Sequence, residues 1–256
     1  MVAASLSIGA LVGVLLSGGF VWWEVGRYAT PQVPVTLFDE RRELFAYTAG
    51  LFVGVPLALA ALLYLDSMAN AALIGAALFL GLLVIGTEVA QWALLRTRFW
   101  GVGESRPFYA LGYRSAIGGI LTLAIIAQYL GGPSFAFAGF ALVLLQSVAI
   151  VALEVAGSLL SMPPRSLGSR SGGGPVSGAI VQALGFFLLG IGPLGGQASG
   201  FASALLAIAG AGLVYRRLRP ALASIPPPTE PPKVGPTVPR PAYGRTRGKA
   251  AEPPKG

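Results

Sequence analysis

The sequence predicts an all-α integral membrane protein with about seven transmembrane helices. Hydrophobic residues make up 54% of its 256 residues and charged residues only 11%, whereas charged residues are about a quarter of an ordinary soluble domain. The apolar residues also fall into seven long runs, and a spanning helix needs about 20 mostly apolar residues. We therefore expect a multi-pass protein whose main partner is the lipid bilayer.

The first and the last of the seven runs need the most justification. The first ends at the pair Trp22 and Trp23, which is typical of a helix end in the headgroup region, and it lacks the basic start of a signal peptide, so we expect a retained anchor. The last two runs are separated only by "GIGPLGGQASG", and residues 177–215 therefore form either two spans or a re-entrant hairpin. The predicted helices cover residues 2–23, 44–65, 71–95, 110–131, 135–160, 177–194 and 197–215.

The basic residues predict the orientation. All 18 lysines and arginines follow the first, third, fifth or seventh helix, except Arg114, which lies just inside the fourth helix from that same side. Lysine and arginine are concentrated on the cytoplasmic side of membrane proteins. The distribution predicts a plasma-membrane protein with its amino terminus outside and its carboxyl terminus in the cytoplasm.

The chain divides into a helix bundle and a tail. Residues 1–219 form the predicted bundle, and residues 220–256 form a basic, proline-rich cytoplasmic tail that holds 11 of the 20 prolines. A basic, proline-rich segment of this kind is predicted to be disordered, with polyproline II character. One possibility is that the tail contacts anionic lipid or a proline-recognising partner. The other is that it is a solvated end without a partner.

A recurring Glu-Val pair suggests an internal repeat. Glu24, Glu88 and Glu154 are each followed by valine and a small residue, at the ends of the first, third and fifth helices. We interpret the pattern as three parallel helical hairpins (helices 1–2, 3–4 and 5–6) followed by a seventh helix. The competing interpretation is chance similarity between apolar segments.

Two of these glutamates lie deep in predicted helices and form a candidate polar centre. A carboxylate at such depth costs a few kcal/mol unless it is paired or protonated, and Arg114 is the expected partner of Glu88 or Glu154. The alternatives are a structural ion pair, a cation or proton site near the cytoplasmic side, and a contact with another subunit. Glu24, next to two tryptophans, is expected in the interface instead. The candidate centre comprises Thr87, Glu88, Gln91, Arg114, Gln146 and Glu154.

Two further segments have structural interpretations. "FDERRE" at 38–43 is expected to be a solvated or helix-capping segment before the second helix. Small residues four apart are expected to let helix backbones approach closely. These pairs are Gly9 and Gly13, Gly50 and Gly54, and Gly196 and Gly200.

The composition also limits the function. The chain has no cysteine and no histidine, which excludes thiolate metal sites and imidazole acid–base chemistry. Its three lysines, Lys233, Lys249 and Lys255, lie in the tail, which excludes a retinal-binding lysine within a helix. We expect a non-enzymatic protein without a cofactor, a metal or a nucleic-acid partner. It is either a small transporter or permease, or an accessory or scaffolding subunit of a membrane complex.

Overall fold

The computed structural model describes residues 2–28, 38–100, 105–131, 136–162 and 174–223, and these ranges contain helices and no strand. Seven of the helices are long and apolar enough to cross a membrane, so the predicted number of helices is confirmed. They are α1 (Val2–Tyr28), α2 (Glu40–Ala69), α3 (Leu73–Leu95), α4 (Arg106–Gly131), α5 (Phe137–Ser161), α6 (Pro175–Ile191) and α7 (Gln197–Ala223).

Residues 177–215 form two separate helices, α6 and α7, and both belong to the candidate spans. A short 3-10 turn, Gly192–Gly195, ends α6, and Gly196 then adopts a φ of +96° before α7 begins. Such a backbone conformation strongly favours glycine because it has no Cβ. Gly196 therefore serves the turn, and nothing packs within 4 Å of the position its Cβ would take. The predicted packing role of Gly196 is wrong, whereas Gly200 does pack, against Leu142 of α5.

Helix α4 lies at the centre of the bundle. It packs against α1 and α2 on one side and against α5 on the other. Every residue from Pro107 to Gly119 is buried, as is typical of a helix enclosed on all sides. Any charged side chain that α4 carries in this stretch must therefore find its partner inside the protein.

Glycines bring α1 and α2 close to α4. A Cβ at Gly9 would lie 2.7 Å from the carbonyl oxygen of Leu123, and a Cβ at Gly13 would overlap the Gly119 carbonyl. Gly50 of α2 lies in the same way against the backbone of α4, and Gly54 follows one turn later. The predicted packing role of these two glycine pairs is confirmed.

The outer surface of the bundle is apolar, as expected for helices that face lipid. Leu15, Phe52, Ile74 and Phe137 are all more than 60% exposed. A soluble protein rarely exposes so large an apolar area. The surface, together with the seven apolar helices, supports a multi-pass membrane protein.

The helix contacts do not show a shared hairpin arrangement. Helices α5 and α6 pack directly on each other, but α1 and α2 each pack mainly on α4 within the described residues. The three-hairpin repeat therefore stays a prediction.

The start of α2 and the end of α7 differ from the boundaries predicted from the sequence. Asp39 caps α2 by accepting a hydrogen bond of 2.9 Å from the backbone of Arg41, so the capping role of this segment is confirmed. At the carboxyl end of the bundle, α7 continues through Pro220 to Ala223. The rest of the predicted tail, 224–256, lies outside the described residues.

Candidate functional site

The candidate site is a buried polar cluster between four helices. Arg114 projects from α4, Glu88 and Gln91 from α3, and Glu154 from α5, and each of these side chains is buried. Glu88 and Gln91 are three residues apart and therefore share a face of α3. The structure thus brings together four of the six predicted residues, and the three partners of Arg114 lie 23 to 40 residues from it in the chain.

Arg114 is held by three side chains through all three of its nitrogens. Its Nη2 donates to Glu88 Oε1 at 2.6 Å, and its Nη1 donates to Glu154 Oε2 at 3.0 Å. Its Nε donates to the side-chain oxygen of Gln91. The Arg114 side chain is 0% exposed, so the guanidinium joins α4 to α3 and α5 without contact with water.

Two further polar side chains bind the carboxylates, and the sequence analysis missed both. The Ser161 hydroxyl donates to Glu88 Oε1 at 2.7 Å, and the Gln182 amide donates to Glu154 Oε2 at 2.7 Å. Gln182 is the one amide side chain within the apolar α6, which is the signal that could have found it. Ser161 lies two turns after Glu154 on α5, and its type alone carries no comparable signal. Gln182 adds a fourth helix to the cluster.

The cluster has more acid than base. One arginine faces two carboxylates, which leaves one negative charge in excess when all three groups are ionised. Glu154 Oε1, Gln182 Oε1 and Gln91 Nε2 are buried and have no hydrogen-bond partner among the described residues. The cluster can therefore accept one more proton or cation, and Glu154 Oε1 is the carboxylate oxygen that is open to it.

The other two predicted members of the cluster bind elsewhere. Thr87 is buried, but its hydroxyl donates to the carbonyl of Leu83 on its own helix at 2.6 Å. The Gln146 amide donates to the Leu189 carbonyl of α6 at 3.5 Å. The structure gives neither residue a hydrogen bond to Arg114 or to a carboxylate of the cluster.

Two acids predicted to be near water are buried. Glu24 was expected in the interface and Glu43 in a solvated segment, yet both are 0% exposed. The alternative of a solvated Glu43 is wrong, because α2 packs on α4 at this position. The depth of Glu24 in the membrane stays a prediction. In the part of the chain that the structure describes, no three or more Asp or Glu side chains are grouped so that they could hold a metal ion.

No protein-family model, curated protein or solved structure matches this chain. The function must therefore be argued from the cluster itself.

Proposed function

We propose that the chain is a non-enzymatic transporter or permease of the plasma membrane, in which proton binding at the buried cluster loosens the helix bundle. The observation that carries the proposal is the sharing of Arg114 between Glu88 and Glu154 on two different helices. Ionisable groups inside a membrane protein are expensive and usually mark ion or substrate pathways. Two carboxylates that compete for one arginine are a suitable proton switch.

The excess carboxylate is the switching element. A proton on Glu154 makes this side chain neutral and removes most of its attraction for Arg114. Arg114 keeps its bonds to Glu88 and Gln91 of α3, and Glu154 keeps its bond to Gln182 of α6. Protonation therefore weakens the polar bridge that runs from α3 through Arg114 to α5, while the packing of α4 on α5 remains.

The consequence is an opening between α3 and α5. One hydrogen bond, from Ser161 to the Glu88 carboxylate, still crosses from α5 to α3, and a hydrogen bond to a charged group contributes about 1.5–3 kcal/mol. A bundle with two arrangements of nearly equal free energy can be switched by one proton. The substrate path would then lie between α3 and α5, next to Glu88.

A distance measurement between α3 and α5 tests this proposal. The chain has no native cysteine, so Thr97→Cys and Met162→Cys, at the ends of the two helices, can be spin-labelled without background. We expect the distance between the labels to increase on acidification in lipid nanodiscs, as measured by pulsed electron paramagnetic resonance. Glu154→Gln, which imitates the protonated acid, should hold the longer distance at every pH.

Gln146→Leu is the matched control, because it removes a partly buried polar side chain of α5 that does not bind Arg114. It should keep the pH response. A distance that does not change with pH, in a folded protein, would reject the proton switch.

The alternative is an accessory or scaffolding subunit of a larger membrane complex. The observation that favours it is the complete enclosure of the Arg114 guanidinium, which suits a permanent brace between helices. Stoichiometric co-purification with other subunits in mild detergent, together with a pH-independent label distance, would support this function over transport.

The proposed topology places the amino terminus outside and the carboxyl terminus in the cytoplasm, with the basic tail near anionic lipid or a proline-recognising partner. The support is the one-sided distribution of basic residues. In intact cells, we expect an impermeant maleimide to label Asn70→Cys, between α2 and α3. Thr97→Cys, after α3, should be labelled only when the membrane is permeabilised. The reverse pattern would invert the topology.

A further inference from the structure

A second pair of buried acids lies outside the Arg114 cluster. Glu24 is in the last turn of α1 and Glu43 in the first turn of α2, and both side chains are fully buried. None of their four carboxylate oxygens has a side-chain hydrogen-bond partner among the described residues, although the backbone of Gly112 interacts with Glu43. The two carboxylates are close enough for their charges to repel each other.

Helix α4 separates this acid pair from the arginine of the first cluster. Gly112 faces Glu43 so closely that a Cβ on this glycine would overlap the carboxylate. Arg114 is two residues further on, which is about 200° around a helix of 3.6 residues per turn. The guanidinium therefore points to Glu88 and Glu154 and does not neutralise Glu43.

Two tyrosine hydroxyls face the Glu24 side of the pair. Tyr28 is four residues after Glu24 on the same helix face, is 4% exposed, and has a buried hydroxyl that interacts with Arg219. The buried Tyr215 hydroxyl of α7 interacts electrostatically with Glu24 and has no hydrogen-bond partner among the described residues. Arg219 approaches Tyr28, and the Arg27 guanidinium lies over a tryptophan ring. No arginine in the part of the chain that the structure describes hydrogen-bonds to the Glu24 carboxylate.

The charged and titratable groups near Glu43 come from α2 and α4. Tyr109 of α4 interacts electrostatically with Glu43, and its hydroxyl accepts a hydrogen bond of 3.1 Å from the Asp39 backbone. Arg42 lies 3.7 Å from the Asp39 carboxylate. The nearby cation is thus paired with the more exposed acid, and Glu43 is left without one.

A proton is the occupant that this geometry fits. An ionised carboxylate that is isolated from water is so costly that the group takes a proton instead, and two carboxylates that share a site cannot both be ionised without strong repulsion. The backbone of Gly112 fills the space beside Glu43, where a hydrated cation would have to lie. A proton needs no such space.

We propose that Glu24 and Glu43 form a second protonation site, on the opposite side of α4 from the Arg114 cluster. A proton from water joins a carboxylate oxygen of the pair, and the pair holds it at neutral pH. The site does not depend on the proposed transport function, because it rests on different residues and its test measures protonation directly.

Infrared spectroscopy of the full chain in lipid nanodiscs tests the proposal. At neutral pH we expect a carbonyl band of protonated carboxylic acid, and Glu24→Gln/Glu43→Gln should reduce it by the amount of at least one carboxyl group. Glu40→Gln removes an exposed carboxylate from the same first turn of α2 and should leave the band unchanged. Glu88→Gln/Glu154→Gln should not remove the part of the band that belongs to the second site.

If the infrared spectra of a variant are weak, its melting temperature provides a second test. Deprotonation charges the buried pair, so the melting temperature of the native chain should fall as the pH rises, and it should fall less in the double glutamine variant. The proposal is overturned if the band is the same in the native chain and this variant. It is also overturned if the band disappears when sodium or calcium is added to a salt-free sample, because a cation would then replace the proton.

Discussion

Replacing Arg114 by methionine is expected to lower the free energy of unfolding by about 3–5 kcal/mol, the cost of leaving buried charges without their partner. The guanidinium is fully buried and binds both Glu88 and Glu154, so its loss leaves two carboxylates to repel each other in an apolar interior. Unfolding in mixed micelles with increasing SDS, followed by tryptophan fluorescence, measures the change.

A triple variant separates the loss of charge from the loss of packing. In Arg114→Met/Glu88→Gln/Glu154→Gln no ionised group remains among these three positions, and neutral replacement of a whole buried ion cluster is often tolerated. We expect the triple variant to recover most of the lost stability. If it is no more stable than Arg114→Met alone, the defect comes from packing, and the ion pairs are not the cause.

Arg42→Met is the matched control for an exposed ion pair. Arg42 lies 3.7 Å from Asp39, and their side chains are 40% and 33% exposed. Exposed pairs contribute about 0–1 kcal/mol. The loss of stability caused by Arg114→Met should therefore be several-fold larger than that caused by Arg42→Met, although both substitutions replace an arginine by a methionine.

The helices could be predicted from the sequence because length and hydropathy are local properties. Arg114, Glu88 and Glu154 could be predicted as neighbours because a deep charge requires a partner, and Arg114 is the one cation inside the predicted fourth helix. The partners Gln182 and Ser161 could not, because polar residues of this type are found in many apolar helices. Their role depends on which helix packs on which, and the sequence does not contain that information in a local pattern.

The wrong predictions for single residues arose because the sequence does not show which neighbouring helix each side chain faces. Gln146 is at a suitable position along α5, but it turns to α6 instead of α4. Glu24 and Glu43 were assigned to polar surroundings from their neighbours in the chain, yet their burial is decided by the contacts of α1 and α2 with α4. Gly112, which makes room for Glu43, is far from both acids in sequence.

Replacing Gly50 by alanine is expected to cost roughly 1–3 kcal/mol, the usual penalty for adding a methyl group to a tightly packed interior. A Cβ at this position would lie 2.8 Å from the Ala116 Cβ and 3.0 Å from the carbonyl carbon of Tyr113. The backbone of α4 is held between helices on both sides, so it cannot move away freely, and α2 must shift instead. The same SDS titration measures the loss.

Gly81→Ala is the control, because nothing lies within 4 Å of the Cβ that would be added in the middle of α3. Alanine is favoured over glycine in a helix by roughly 0.5–1 kcal/mol, so this variant should be as stable as the native chain or more stable. Because Gly50 contacts the side of α4 that is away from Glu154, Gly50→Ala should also leave the pH-dependent distance between α3 and α5 unchanged. If this substitution abolished that response as well, the two sides of α4 would be mechanically coupled, and the acid pair at Glu24 and Glu43 could not act independently of Arg114.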